Sequence, residues 1–189
     1  HNEEVLVNMV RSHGIEDLAF LFLLNAICVA IPGLSNGIFC VLNGILYGPA
    51  WGFIVNWISD ILGQIILMEL LQKLYDMKKM SNSKVYKLLT GLKSPMLGLI
   101  IGYMIPFIPS ATVSYVNIMI NKEQRKKQLI PIIIGVIPFA YLYAYGGDSI
   151  LHLDGTRLIK VVISFVVIAL IAVAILLSLR AIKKRTKKA

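Results

Sequence analysis

The chain has 189 residues, 57% hydrophobic and 15% charged, with mean hydropathy +0.76 and a formal net charge of +9. That profile excludes an ordinary soluble core and fits one compact, polytopic membrane domain. The positive charge lies between and after the apolar stretches, where membrane orientation explains it, and this argues against nucleic acid as the partner.

Residues 1–17 are polar, with Val5, Leu6, Met9, Val10 and Ile15 interspersed, and predict an amphipathic interfacial segment broken at Gly14. Residues 18–179 form the single transmembrane domain, and residues 180–189 a basic tail. Residues 18–31 are apolar except for Asn25. With flanking residues they just span a core of about 30 Å at about 1.5 Å per residue. Residues 32–47 are apolar but carry Pro32, Gly33, Ser35, Asn36, Gly37, Asn43 and Gly44. Broken backbone at membrane depth survives only where protein or a wet cavity satisfies it. This stretch is therefore expected to be a re-entrant helical hairpin.

Residues 51–74 predict a spanning helix containing Asn56, Asp60, Gln64 and Glu69. Residues 95–120 are again apolar and broken, at Pro95, Gly98, Gly102, Pro106 and Pro109, and predict a second re-entrant hairpin. Residues 129–145 span, 146–157 form a short polar loop, and 158–179 span again. The expected fold is an all-α membrane protein with about four spanning helices and two opposed re-entrant hairpins.

The basic residues fall in three clusters. The first is Lys73, Lys78, Lys79, Lys84, Lys87 and Lys93. The second is Lys122, Arg125, Lys126 and Lys127. The third is Arg180, Lys183, Lys184, Arg185, Lys187 and Lys188. Lys and Arg collect on the cytoplasmic side, so the basic loops and the C-terminus are expected there. Two threadings satisfy this. Either the N-terminus is cytoplasmic and neither hairpin crosses, or the N-terminus is outside and the first broken segment crosses.

An internal repeat bears on the choice. Pro32 precedes Asn43 by eleven residues, as Pro106 precedes Asn117. Each unit is followed by a helix carrying a glycine, Gly63 in one and Gly135 in the other. With neither hairpin crossing, the units form an inverted repeat, which places a substrate site where they meet near the midplane.

These residues resemble a known family. Ile31-Pro32-Gly33, then Asn43-Gly44-Ile45-Leu46-Tyr47-Gly48-Pro49-Ala50-Trp51-Gly52, is similar to the signature of the DedA / VTT-domain family, also called SNARE-associated Golgi-type proteins. Ile105-Pro106-Phe107-Ile108-Pro109, Tyr115-Val116-Asn117, Gly135-Val136-Ile137-Pro138 and Gly146 resemble its second half. The resemblance implies opposed re-entrant hairpins and a role in moving lipids across the bilayer, as flippase or scramblase. Gly102 and Tyr103 stand where many members carry an Arg, and the first hairpin lacks the acid of several bacterial members.

Several residues are candidates for the chemistry. Asp60 is a costly mid-helix carboxyl that must face protein or water. It reads either as a protonation or ion-coupling site or as a hydrogen-bonded packing residue. Glu69 is a second coupling candidate, or an interfacial partner of Lys73 at i+4. Asn36, Asn43 and Asn117 read as donors along a substrate path, and the last two also as caps of broken helices. Pro106 and Pro109 shape the second hairpin beside that path. Arg125, Lys126 and Lys127, with Arg157 toward the other side, are headgroup-attracting candidates or topology signals. Basic residues near the surface attract anionic lipid by about 1 kcal/mol each.

Cys28 and Cys40 read as packing thiols. With no CxxC, HExxH, nucleophile–base pair or ATP-binding motif, no metal, cofactor or enzymatic activity is expected. The expected partners are anionic or phosphorylated membrane lipids, with a homo-oligomer left open, in a bacterial plasma membrane. The expected function is transbilayer movement of a phosphorylated lipid, such as a phospholipid or undecaprenyl phosphate. The alternatives are ion-coupled transport of a small solute and a membrane scaffold.

Overall fold

The computed structural model describes residues 5, 8, 11–12, 14–74, 84–92, 94–105, 108–122 and 124–186. Among them the regular structure is entirely α-helical, and apart from Val5 and Asn8 it falls in α1 (Ile15–Ala30), α2 (Gly37–Leu74), α3 (Lys84–Thr90), α4 (Pro95–Met104), α5 (Ser110–Asn121), α6 (Arg125–Gly135), α7 (Ile137–Leu151) and α8 (Gly155–Thr186).

α1 starts after Gly14, with Glu16 and Asp17 in its first turn, where acids suit the helix dipole. It stops at Ile31, because the residue before a proline is pushed out of helical geometry. α2 is broken at Gly48, whose φ of 76° and ψ of 178° are open to glycine alone at low cost. Pro49 then begins a new helix in the position where proline is tolerated.

The two arms of α2 fold back on each other about Gly48. Asn43 Nδ2 donates to Asn56 Oδ1 at 2.7 Å, and Asn56 Nδ2 donates to the Cys40 carbonyl at 3.0 Å. α1 runs antiparallel to the short arm, residues 37–47. Arg11 Nε lies 3.5 Å from the Ile45 carbonyl, while Cys40 Sγ lies 3.6 Å from Asn25 Oδ1. α1 and the short arm thus form a helical hairpin. Its tip, residues 31–36, reaches Asp60, where Asn36 Nδ2 donates to Oδ1 at 2.7 Å. At about 1.5 Å per residue, Asp60 lies about 18 Å along a long arm of about 39 Å. The hairpin therefore ends near the arm's middle.

The second half has the same plan. α4 and α5 form a hairpin, with Gly102 against Val113, and the Tyr103 and Ser114 hydroxyls 2.9 Å apart. α6 and α7 supply the long arm, bent at Val136. The contacts recur in register. Asn43 bonds to residue 56 and Asn117 to the carbonyl of residue 128. Gly63 packs on the Ala26 carbonyl and the Val29 side chain; Gly135 packs on the Ile100 carbonyl and the Tyr103 side chain. Gly48 and Lys122, the turns between hairpin and long arm, both have positive φ. Each second member lies 72 or 74 positions after the first.

Lys122 holds φ 37° without being glycine. With ψ at −116° this is outside the left-handed helical well, and such backbone costs an L-residue on the order of 1 kcal/mol or more. Lys122→Gly is expected to raise the melting temperature of the purified protein by roughly 2–4 °C, as a thermal scan in detergent would show.

The two long arms run antiparallel. Trp57 Nε1 donates to the Ile133 carbonyl at 2.9 Å, and Asn56 Nδ2 also reaches the Ala140 carbonyl at 3.2 Å. Arg125 pairs with Glu69 at one end, and Arg11 pairs with Asp148 at the other. The two hairpins therefore enter from opposite ends. A core of Leu67, Met68, Leu71, Leu89, Leu99, Val113, Tyr115 and Ile132 fills the space around α5. α8 lies outside, with Phe165 edge-on to Phe139 at 4.3 Å, and exposes Ile159, Val162, Val166 and Leu170.

By length and composition, three described stretches can cross a membrane: Gly37–Leu74, Arg125–Leu151 and Gly155–Ala181. Residues 18–31, expected to be a fourth span, lie largely in the 16-residue α1, which is not among these three and packs antiparallel to residues 37–47 in the first hairpin. Pro32 and Gly33 mark that hairpin's tip rather than its start, because residues 37–47 are one unbroken helical arm. Residues 146–151, expected in a loop, continue α7. The helix survives there because Gly147 lets the backbone sit against the Val41 carbonyl. Arg11, just before α1, lies at the end of the helix bundle opposite Arg125. Most of the N-terminal segment, with Lys78, Lys79, Lys93, Lys187 and Lys188, lies outside the described residues.

Candidate functional site

The two hairpin tips meet at a cavity of about 300 Å³. The first tip supplies Ser35 and Asn36, and the second supplies Ile108, Pro109 and Ser110. The long arm of α2 contributes Asp60 and Gln64, one helical turn apart and so on one face. Val136, Phe139 and Tyr143 close the α6–α7 side.

Asp60 is the centre of a polar set. Its Oδ1 accepts from Asn36 Nδ2 at 2.7 Å and Asn25 Nδ2 at 3.2 Å. Asn25 Nδ2 also reaches Ser59 Oγ, which donates to the Val55 carbonyl at 2.7 Å. Asn25 and Ser59 are fully buried, so they hold the carboxyl from behind while its front lines the cavity.

A second polar set supports the other tip. Ser114 Oγ donates to Gln64 Oε1 at 2.8 Å and touches the Tyr103 hydroxyl. Asn117 Nδ2 donates to the Gln128 carbonyl at 2.8 Å and reaches the Tyr103 hydroxyl at 3.3 Å. Asn121 Nδ2 donates to Asn117 Oδ1 at 2.7 Å. The Ser114–Gln64 bond ties the second hairpin to the first unit's long arm.

Of the residues singled out in the sequence, Asn36, Asp60 and Pro109 come together on the cavity wall. Pro106 lies outside the described residues. Asn43 and Asn117 are fully buried behind the hairpins and do not line the cavity. Each bonds to the neighbouring arm rather than capping a broken helix end. Glu69 is away from the cavity and pairs with Arg125 rather than with Lys73. Arg125, Lys126 and Lys127 are exposed at the start of α6. Arg157 sits at the opposite end, 2.9 Å from Asp154 and 3.8 Å from Asp148. Cys28 and Cys40 are buried free thiols.

Sequence reasoning passed over Asn25, Gln64, Tyr103 and Tyr143 as site residues. Asn25 had a signal, as the lone amide in a long apolar run. Gln64 had one too, four residues after Asp60. Tyr103 and Tyr143 had none, because a tyrosine in an apolar helix reads as packing.

Residues 31–149 match the VTT domain. No curated protein and no solved structure matches the chain. The matched stretch takes in both tips, the second hairpin with its long arm, residues 37–74 of the first unit and the cavity wall apart from Val29, and it covers more than half of the sequence. The chain belongs to the VTT-domain family of membrane proteins.

Proposed function

We propose that this protein moves a phosphorylated lipid between the leaflets of a bilayer, without hydrolysing ATP. On this reading the two units form an inverted repeat, and α1 with residues 37–47, and α4 with α5, are re-entrant hairpins opening to opposite leaflets. The observation that carries the reading is the polar cavity where their tips meet. A headgroup crosses there while its tails remain in lipid, because each tip shortens the apolar barrier to about half its depth. The Arg125–Lys127 and Arg157 ends attract headgroups to the two mouths. The charge pattern supports cytoplasmic basic loops, and a bacterial source would make the membrane the plasma membrane.

Asp60 favours a second reading, an ion-coupled carrier of a small solute that uses the same cavity. One experiment separates them. Proteoliposomes of the full chain are expected to exchange acyl-labelled phospholipid between leaflets, faster than protein-free liposomes. Ser110→Trp, which fills the cavity, is expected to slow exchange at least tenfold, about 1.4 kcal/mol of barrier. A wild type that moves no lipid but takes up solute would sink the lipid reading.

A further inference from the structure

The charge of the cavity is one-sided. Asp60 is its carboxyl, and no Lys, Arg or His stands among its described lining residues. Pro106 and Phe107, outside the described residues, are uncharged by type. The arginines described near the two mouths are already engaged: Arg125 with Glu69, and Arg11 and Arg157 with Asp148. A carboxyl taken out of water needs a cation, a full set of donors or a proton. Asp60 has two amide donors, both on Oδ1, and no described cation.

The second repeat unit sharpens the point. The positions matching Asn25 and Asp60 are Leu99 and Ile132. The carboxyl and its buried support are thus a feature of one unit, and the repeat's framework does not require them.

The tips themselves add no net charge. Each tip lies between one helix C-terminus and one N-terminus, Ala30 and Gly37 in the first and Met104 and Ser110 in the second, and of these four Ser110 lines the cavity. The N-termini of α5 and of the short arm of α2 offer backbone N–H groups to an anion, and Asp60 offers a carboxylate to a cation. A bare phosphate monoester would satisfy the first and be repelled by the second, strongly so at low dielectric.

We propose that the cavity selects a zwitterionic lipid headgroup bearing a primary ammonium. The ammonium pairs with Asp60, and the phosphate lies at the N-terminal end of α5, beside Ser110. This deepens the lipid-translocation reading and rests on it for the identity of the cargo. A volume of about 300 Å³ is at the small end of ligand pockets and suits a headgroup without its tails.

The test uses the full chain in detergent, titrated calorimetrically with dihexanoyl phosphatidylethanolamine, dihexanoyl phosphatidylglycerol and farnesyl phosphate. The ethanolamine lipid is expected to bind at least tenfold tighter than either anionic probe. Asp60→Asn is expected to erase the difference, and Asp60→Glu to keep most of it. Equal or tighter binding of either anionic probe by the wild type overturns the proposal, and this comparison stands even where Asp60→Asn fails to fold. Parallel proteoliposome assays separate the two ideas. Amine-selective binding without lipid movement leaves the selection standing and ends the transport reading. Movement of phosphatidylglycerol as fast as phosphatidylethanolamine, with no difference in binding, does the reverse.

Discussion

Gly44→Ala and Gly147→Ala are each expected to cost about 3 kcal/mol and to lower the melting temperature by roughly 6–12 °C. The arm of residues 37–47 and helix α7 touch backbone to backbone here. A Cβ on Gly44 would lie 2.1 Å from the Ala144 carbonyl oxygen, and one on Gly147 would lie 2.1 Å from that of Val41. Neither neighbour is the free end of a side chain, so a helix must move. Without a hydrophobic force between helices in lipid, close approach of small residues is what holds such pairs together. Gly155→Ala, where nothing stands within 4 Å, is the control and is expected to leave the melting temperature within about 2 °C, because its backbone φ is ordinary and the position is open. Equal losses at Gly155 and Gly44 would show that the contact at Gly44 does not set the effect, since helix propensity by itself favours alanine over glycine.

The same contact explains what the sequence could and could not tell. Proline placement marked the helix starts of the second hairpin closely, since Pro95 starts α4 and Pro109 precedes α5. The repeat was legible through Asn43 and Asn117, and through Gly63 and Gly135, because each pair performs the same packing task in its own unit. The first hairpin was displaced by one arm. Residues 18–31 have the apolar length of a marginal span, and nothing in composition says that the chain then folds back on them as a second helix. What decides it is tertiary: Asn25 against Asp60 and Arg11 against Asp148, at sequence distances of 35 and 137. The helical course of residues 146–151 was hidden for a similar reason, since two glycines and an aspartate read as a loop until their partners across the fold are known.

The candidate site was half legible. Asp60 and Asn36 stood out because polar groups are expensive at membrane depth, and both line the cavity. Asn43 and Asn117 stood out by the same rule, yet the structure gives them framework bonds. A polar residue at depth must find a partner, and a neighbouring helix serves as well as a substrate.

That distinction leads to the largest effect expected at a single polar side chain. Asn56 is fully buried. It donates to the Cys40 and Ala140 carbonyls and accepts from Asn43, so one amide joins the hairpin, the long arm and α7. Asn56→Leu removes three bonds and strands the Asn43 amide, at a cost of about 2–4 kcal/mol. Asn43→Leu removes one of those bonds and strands Asn56 Oδ1. The double variant leaves neither amide behind, so it is expected to cost about 1 kcal/mol less than the two single changes together. Thermal unfolding of the four proteins in detergent gives the coupling. Lipid exchange, normalised to folded protein, is expected to be unchanged in Asn43→Leu. A tenfold loss of exchange with full stability would instead place Asn43 on the lipid's path, and would mean that the cavity extends behind the first hairpin when the protein works.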